Sequence, residues 1–306
     1  MKIALKTSYS FHQFGQRDNQ EDSRYPDIDM VDGGHRFFLV CDGVGGCEKG
    51  EIASNTVCKS FASSLRDFDF SHEFTSDDFG RALDNAYDAL DKKSDSSNEG
   101  MATTLTFICF HEGGCTMAHI GDSRIYQVRP SEGIIYRSED HSLVNSMVHN
   151  GMITPEEAVN HPQSNIITRY MESVASDESR CMATLLQTKD IQAGDYFFLC
   201  TDGVLHCVTD EELVNILTDD SLSDADKIQK MAAMSHDSND NNTAWLIGVD
   251  HVEGAVTEVP KCEDSNQDDA GKTQRVRVDH KETMEIESLQ TEHHSGLSGW
   301  LKKVFK

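Results

Sequence analysis

Short apolar runs alternate with helical hydrophobic repeats along the first 250 residues of the chain. Residues 36–41 (RFFLVC) and 196–201 (YFFLCT) are apolar runs followed closely by an Asp-Gly pair, which predicts buried strands that stop at a turn. The stretches 51–65 and 79–90 carry apolar residues three and four positions apart, which predicts amphipathic helices. Later patterns of the same two kinds predict two more helices and one more strand, at 210–217, 224–235 and 244–249.

The middle of the chain contains a β-rich part and a helical part. Residues 103–110, 115–120 and 123–129 are rich in β-formers and are separated by glycine-containing turns, which predicts an antiparallel meander. Residues 142–172 carry two short helical patterns instead. The second of these opens at Thr154-Pro155, a cap followed by a proline in the first turn.

The apolar periodicity ends near residue 251. Residues 253–296 are dominated by charged residues, Ser, Thr and Gln, a composition typical of disordered segments. The final GLSGWLKKVFK regains apolar positions at helical spacing, with lysines between them. We therefore divide the chain into a folded domain, 1–250, and a polar tail, 251–306. The basic amphipathic end of the tail either docks on the folded domain or a partner, or lies on an anionic membrane surface.

The net charge of the chain disfavours nucleic-acid partners, and its cysteine pattern favours a reducing compartment. The 306 residues include 53 acidic and 27 basic residues, a net charge of −26 that repels polyanions, so we expect no nucleic-acid partner. The nine cysteines form no C-x-x-C pair, which is typical of reduced thiols. No secretory signal and no membrane-spanning run is evident. We expect a cytoplasmic monomer.

Acidic side chains recur at turns and strand ends along the predicted domain. They are Glu21, Asp22, Asp42, Asp122, Asp202 and Asp240. A single acid at a turn is common, because Asp favours turns. However, the repeated strand–Asp–Gly pattern at Asp42 and Asp202 predicts that adjacent strands point carboxylates into one cleft. Clustered carboxylates repel one another unless a cation neutralises them, and hard oxygen ligands suit Mg²⁺ or Mn²⁺.

Seven motifs, five of which contain these acids, follow one another from about residue 8 to residue 250. They are GQRDNQEDS (15–23), VCDGVGG (40–46), GMATTLTF (100–107), HIGDSRIY (119–126), EDHSLV with NGMITPEEAVNHPQSNIITR (139–169), AGDYFFLCTDGV (193–204) and NDNNTAWLIGV (239–249). Together and in this order they resemble the metal-dependent Ser/Thr protein phosphatase family, protein phosphatase type 2C. The middle motifs are most similar to its bacterial branch.

The resemblance implies a fold and a metal centre. The fold is of the α+β class, a four-layer αββα sandwich with two central antiparallel β-sheets flanked by helices. The centre is binuclear and holds Mn²⁺ or Mg²⁺ in a cleft at one end of the sandwich. By position, Asp42 bridges the two metals, the Gly43 carbonyl joins one of them, and Asp202 and Asp240 hold the other.

The resemblance also implies the surroundings of that centre. Glu21 and Asp22 lie at the metal shell, in part through water, and Asp122 with Asp202 would hold a weaker third metal. Arg17 would bind the substrate phosphate, and residues 141–170 match a mobile flap beside the cleft. A bridging water activated by the two metals would attack phosphoserine or phosphothreonine in a phosphoprotein. The enzyme would thereby oppose a Ser/Thr kinase in signalling.

Two departures from the family pattern affect the mechanism. The histidine that some members place two residues after the bridging Asp is Val44 here, so the proton donor to the leaving group stays open, with metal-bound water favoured. The flap ends in Thr168-Arg169-Tyr170-Met171-Glu172, without the glycine that is usual there.

Two other functions compete with a stand-alone phosphatase. A catalytically inactive binding module would lack a metal ligand, yet every metal position is filled. A phosphatase of a partner-switching pathway usually carries attached sensory domains, and none is visible in the sequence.

Overall fold

The computed structural model describes residues 1–44, 49–94, 101–159, 161–173 and 180–254, together with a two-residue strand at 274–275. Two antiparallel sheets form the centre of the fold. The strands of the larger sheet are β1 (Lys2–Leu5), β2 (Ser8–Gln13), β4 (Met30–Val31), β9 (Arg124–Arg129), β10 (Gly133–Arg137), β13 (Tyr196–Cys200) and β14 (Asn242–Glu253). Those of the other are β3 (Ser23–Tyr25), β5 (Phe37–Cys41), β7 (Leu105–His111), β8 (Gly114–Ile120), β12 (Thr184–Thr188) and β15 (Gln274–Arg275).

Strand order follows from the pairing. The six-stranded sheet runs β15-β12-β8-β7-β5-β3. The seven-stranded sheet runs β10-β9-β13-β14-β2-β4, and β1 also pairs with β14. A separate two-stranded ladder joins β6 (Ala102–Thr103) to β11 (Met171–Glu172).

Seven helices occur in the described part of the chain. They are α1 (Gly50–Ser64), α2 (Ser76–Lys93), α3 (Leu143–His149), α4 (Pro155–Val159), α5 (Asp202–Leu205), α6 (Asp210–Leu217) and α7 (Asp224–Ser235). Reciprocal capping boxes begin three of them, at Thr75–Asp78, Thr209–Glu212 and Ser223–Asp226.

The apolar strands alternate between two neighbouring cores. In β5, Phe37 and Leu39 pack with α1 and α2, whereas Phe38 and Val40 pack between the two sheets. In β13, Phe197 faces the space between the sheets, whereas Phe198 packs with α6 and α7. Strands buried on both faces have no polar side to alternate with, which explains the continuous apolar runs of the sequence. The layers are therefore α1–α2, sheet, sheet, and α5–α7, and the predicted four-layer αββα fold is confirmed.

The predicted meander is wrong in one respect. Strands β7 and β8 form an antiparallel hairpin, but β9 leaves their sheet and pairs with β13 and β10 in the other one. Gly121, at the crossing point, has a φ of 108°. A side chain there would lie 2.8 Å from the Cβ of Thr104, so the close crossing requires glycine. A β-rich pattern identifies the strands but does not identify their partners.

Two described strands include residues beyond 250, the predicted end of the folded domain. Strand β14 continues to Glu253, and Gln274–Arg275 of the predicted tail pair with Thr184 and Leu185 of β12. The rest of the tail, including its amphipathic end, lies outside the described residues. Within the described part of the chain, no helix has the length and apolar character needed to cross a membrane.

Candidate active site

Strands from opposite sheets bring two of the predicted acids within electrostatic reach of each other. Asp42 follows β5 in the six-stranded sheet, whereas Asp202 begins α5 directly after β13 in the seven-stranded sheet. The charge of Asp202 is among the causes that raise the pKa of Asp42, so the two carboxyl groups lie within electrostatic reach of each other. The two strands are not adjacent in one sheet, as the sequence pattern suggested. They lie in the two facing sheets, and residues of both strands pack in the core between them.

Asp22 is a buried carboxyl group held by two threonine hydroxyls. Only 3% of its surface is exposed. Its Oδ2 accepts hydrogen bonds from Thr201 Oγ1 at 3.0 Å and Thr243 Oγ1 at 2.7 Å, while Oδ1 has no partner. Burial raises the pKa of Asp22 to about 7 although both hydroxyls lower it. An orphaned carboxylate oxygen therefore lies beneath the cleft.

The backbone around Asp42 and Gly43 is fixed by hydrogen bonds on both sides. The Asp42 N–H donates to Thr104 Oγ1 at 2.9 Å, and Thr103 Oγ1 donates to the Asp42 carbonyl at 2.8 Å. The Gly43 N–H donates to the Glu21 carbonyl at 3.1 Å. A Cβ on Gly43 would lie 2.5 Å from the carbonyl carbon of Gly50 at the start of α1. Only glycine permits this approach, which brings Glu21, Asp42 and α1 together.

Asp122 lies in the turn that carries the chain from one sheet to the other. Burial first, and then the charge of Asp202, raise the pKa of Asp122 to about 8. Next to it, Ser123 Oγ shares a 2.8 Å hydrogen bond with Thr104 Oγ1. The charge of Asp202 therefore acts on Asp122, and the third metal position predicted for this pair stays a prediction.

Arg17 and Asp240 form an ion pair at the rim. Arg17 donates from a terminal guanidinium nitrogen to Asp240 Oδ2 at 2.8 Å and from Nε to the Asn239 carbonyl at 3.1 Å. About half of the Arg17 side chain, 48%, is exposed. Asn241 ties this segment to the rest of the site, because its Oδ1 accepts the Glu21 N–H at 2.8 Å. The predicted phosphate-binding residue is thus adjacent to a predicted metal ligand.

The cluster carries more negative charge than its own side chains neutralise. Burial and then the neighbouring carboxylates, Asp22 foremost, raise the pKa of Asp42 well above its ordinary value. Burial also raises the pKa of Asp202, although the charge of His206 lowers it. Burial, followed by the charge of Glu51, raises the pKa of Glu21. Mutual repulsion of this kind is relieved by a bound cation.

The oxygen atoms of the acidic cluster are of the kind that hard divalent cations bind, but the cluster does not surround a metal with protein ligands alone. Asp22 Oδ1 and Asp202 Oδ1 are buried oxygens without a hydrogen-bond partner, as cation ligands would be. Among the described residues, no three His, Cys, Asp or Glu side chains converge closely enough to hold a metal by themselves. Mg²⁺ sites commonly keep several waters and use few carboxylates, so an open arrangement is consistent with Mg²⁺ or Mn²⁺.

Several residues of the site were not singled out from the sequence. Thr104, Thr201, Thr243 and Asn241 hold the acids in place, and the His206 Nε2 lies 3.9 Å from Asp202 Oδ2. Thr in a β-rich stretch is a common strand residue, so its hydroxyl gives no separate signal. Their position in the sequence gives a signal, since all four lie within motifs, and Thr201, Asn241 and Thr243 lie within three residues of a predicted acid.

The predicted flap is anchored to the site at its base. Its two ends meet where the Thr168 N–H donates to the His141 carbonyl at 2.7 Å. Beyond this point, Met171–Glu172 form β11 and pair with Ala102–Thr103. Thr103 in turn bridges Gly43. The residues that replace the usual glycine are therefore used as a strand.

A family model and solved structures agree with this geometry. Residues 18–246 match the family described as protein phosphatase 2C, so the chain belongs to that family. The predicted family and enzyme class are both confirmed. PstP of Mycobacterium tuberculosis superimposes with a TM-score of 0.69 at 29% identity, covering 81% of this chain and 100% of that structure. A PstP catalytic domain in complex with two manganese ions gives a TM-score of 0.65 at 27% identity, with 81% and 100% covered.

Two curated relatives match at similar levels of identity. The serine/threonine protein phosphatase PstP of Mycobacterium tuberculosis is 33% identical over 201 residues, which cover 66% of this chain. That match spans only 36% of PstP. Protein phosphatase PhpP of Streptococcus pneumoniae is 30% identical over 254 residues, covering 81% of this chain and 98% of PhpP.

Proposed function

We propose that this chain hydrolyses phosphoserine and phosphothreonine in protein substrates, with two divalent cations, Mn²⁺ or Mg²⁺, held at the acidic cluster. The observation that carries the proposal is that Asp202 and Asp240 both act electrostatically on the buried Asp42, with Arg17 paired to Asp240. The manganese-bound PstP relative supports the choice of metal. We further propose that the enzyme is a cytoplasmic monomer that opposes a Ser/Thr kinase.

The residues divide into metal-holding and phosphate-holding groups. Asp42, the Gly43 carbonyl, Asp202 and Asp240 would hold the two cations, and Glu21 and Asp22 would act in part through water. Asp122 would hold a weaker third ion. When bound, such cations supply Lewis-acid polarisation of the phosphoryl group and a lowered pKa for a coordinated water.

The protein's own side chains orient the substrate and the ligands. Arg17 presents a planar fork of donors at the rim, which matches phosphate oxygens in two-point contacts. The hydroxyls of Thr201 and Thr243 hold the Asp22 carboxyl in one orientation, so its second oxygen stays directed away from them. Burial around Asp42 strengthens every electrostatic interaction made in the cleft.

Hydrolysis of p-nitrophenyl phosphate and of a phosphothreonine peptide tests the proposal. We expect activity with Mn²⁺ or Mg²⁺ and its loss in EDTA. Asp42→Asn should lower kcat by at least about 100-fold, because even residues that only support metal ligands contribute 10- to 100-fold. Asp69→Asn, at an exposed acid between α1 and α2, is the matched control and should retain activity. Full activity of Asp42→Asn would contradict the metal assignment.

A further inference from the structure

One turn presents an exposed aromatic ring beside the proposed phosphate-binding arginine. In the described part of the chain, the large hydrophobic side chains that are mainly exposed are Phe14, Ile28, Met30 and Met152. Phe14 is 54% exposed and begins the turn that leads to Arg17. The Arg17 N–H donates to the Phe14 carbonyl at 3.2 Å, so the two Cα atoms lie within about 7 Å.

The turn is held rigidly against the segment that carries Asp240. Gly15 has a φ of 57°, and a Cβ there would lie 2.2 Å from the Asp240 carbonyl oxygen. The Gln16 N–H donates to the Ser238 carbonyl at 2.8 Å, and Asn241 Nδ2 donates to the Phe14 carbonyl at 3.0 Å. Side-chain exposure of Phe14 therefore does not result from a loosely attached loop. The fold fixes the backbone of this residue and leaves its ring in solvent.

Exposed acids in and beside this turn indicate the charge of the substrate segment that would suit it. Gln16 Nε2 donates to the carbonyl of Asp237, whose side chain is 91% exposed, and Asp18 is an exposed acid immediately after Arg17. A second copy of this acidic chain, with a net charge of −26, would be repelled here. A segment with apolar and basic residues on either side of a phosphorylated residue suits both the ring and the acids.

We propose that Phe14 is a specificity residue that contacts an apolar side chain of the phosphoprotein substrate while Arg17 binds the phosphate. An extended peptide rises about 3.3 Å per residue, so a Cα separation of at most about 7 Å corresponds to a side chain within about two positions of the phosphorylated residue. This inference rests on the proposed function, since it requires a phosphoprotein in the cleft. It adds the class of substrate: lysine-rich segments with a large apolar residue near the phosphothreonine.

Two matched phosphothreonine peptides test the contact. Both are lysine-rich, and they differ only in Leu or Ala two positions on either side of the phosphothreonine. We expect the wild-type enzyme to favour the Leu peptide about fivefold in kcat/KM, mainly through KM. Phe14→Ala should reduce that preference to about one, and Phe14→Leu should keep most of it. Ile28→Ala, at an equally exposed residue in the connection between β3 and β4, should leave the preference unchanged.

The outcomes separate this contact from the proposed function. Hydrolysis of the Ala peptide by the wild type supports phosphatase activity whatever its preference. The proposal for Phe14 is overturned if the wild type does not distinguish the peptides, or if Phe14→Ala keeps the wild-type ratio. An equal loss on both peptides, with the ratio unchanged, would show that Phe14 supports the turn and does not contact substrate.

Discussion

At the residue scale, hydroxyl and amide groups determine where the acids of the site point. Asp22 depends on two threonine hydroxyls, and Asp42 on a third and fourth. The acids themselves could be predicted, because Asp-Gly pairs at strand ends and acids within ordered motifs can be recognised from the sequence. The supporting threonines could not be predicted, because threonine is a common strand residue whether or not its hydroxyl makes a hydrogen bond to the site.

A buried histidine away from the site gives a test of how its hydrogen bonds set stability. His111 is 5% exposed, and its Nδ1 accepts the Gly113 N–H at 3.1 Å. Its Nε2 is hydrogen-bonded to Thr116 Oγ1 at 3.0 Å, so the ring is neutral with the proton on Nε2. Burial lowers the pKa of His111 to about 4, from 6.5 in the unfolded chain.

We predict that His111 makes the protein lose stability in mild acid. Below pH 6.5 His111 becomes protonated in the unfolded chain, whereas in the folded protein it stays neutral down to about pH 4. The free energy of unfolding therefore falls as the pH drops from 6.5 to 4. The contribution is at most about 3 kcal/mol. Urea unfolding at pH 7 and pH 5 should show a smaller loss for His111→Gln than for wild type. His72→Gln, at an exposed histidine, should behave as wild type; equal losses in all three proteins would refute the assignment.

At the element scale, the helices were predictable and the strand partners were not. α6 and α7 lie where their repeats indicated, since an amphipathic stripe and a capping residue are both local signals. β9 was identified as a strand but assigned to the wrong neighbours, and β10 and β12 carry no strong apolar alternation. Sheet membership depends on contacts distant in sequence, which a local pattern does not contain.

At the base of the predicted flap, His141 is held by several hydrogen bonds and by ring stacking. The His141 N–H donates to the Gly121 carbonyl at 2.9 Å, and its Nδ1 accepts the Gly121 N–H at 3.1 Å. Its Nε2 is bonded to Thr184 Oγ1 at 2.9 Å, and its ring stacks on His119 with centroids 4.5 Å apart. One side chain therefore joins the flap to β12 and to the residue before Asp122.

Removal of the His141 ring should loosen the flap. His141→Ala loses both ring hydrogen bonds, whereas His141→Asn can still accept from Gly121. We predict that amide exchange across residues 143–159 is slowest in wild type, faster in His141→Asn and fastest in His141→Ala. We also predict a roughly tenfold rise in KM for His141→Ala, about 1.4 kcal/mol. Hydrogen exchange with mass spectrometry measures the first and peptide kinetics the second. If exchange in this segment were the same in all three proteins, His141 would not anchor the flap.

At the scale of the whole molecule, the packing of the two sheets explains where part of the negative charge is concentrated. Residues 1–250 carry 42 acidic and 19 basic residues, so the acidity belongs to the folded domain. Two sheets packed face to face place Asp42 and Asp202 at strand ends of different layers, and there burial and then four neighbouring carboxyl groups raise the pKa of Asp42. The fold therefore concentrates repulsion where a cation would relieve it, and stability and function are linked at the cluster.

Thermal unfolding with and without Mn²⁺ tests this claim most directly, without relying on activity. In EDTA, Asp42→Asn should unfold at a higher temperature than wild type, because it removes one of the mutually repelling carboxyls. Saturating Mn²⁺ should raise the Tm of the wild type by about 5 °C or more and leave that of Asp42→Asn nearly unchanged. An equal Mn²⁺ shift in both proteins, or none in the wild type, would contradict a divalent-cation site at Asp42.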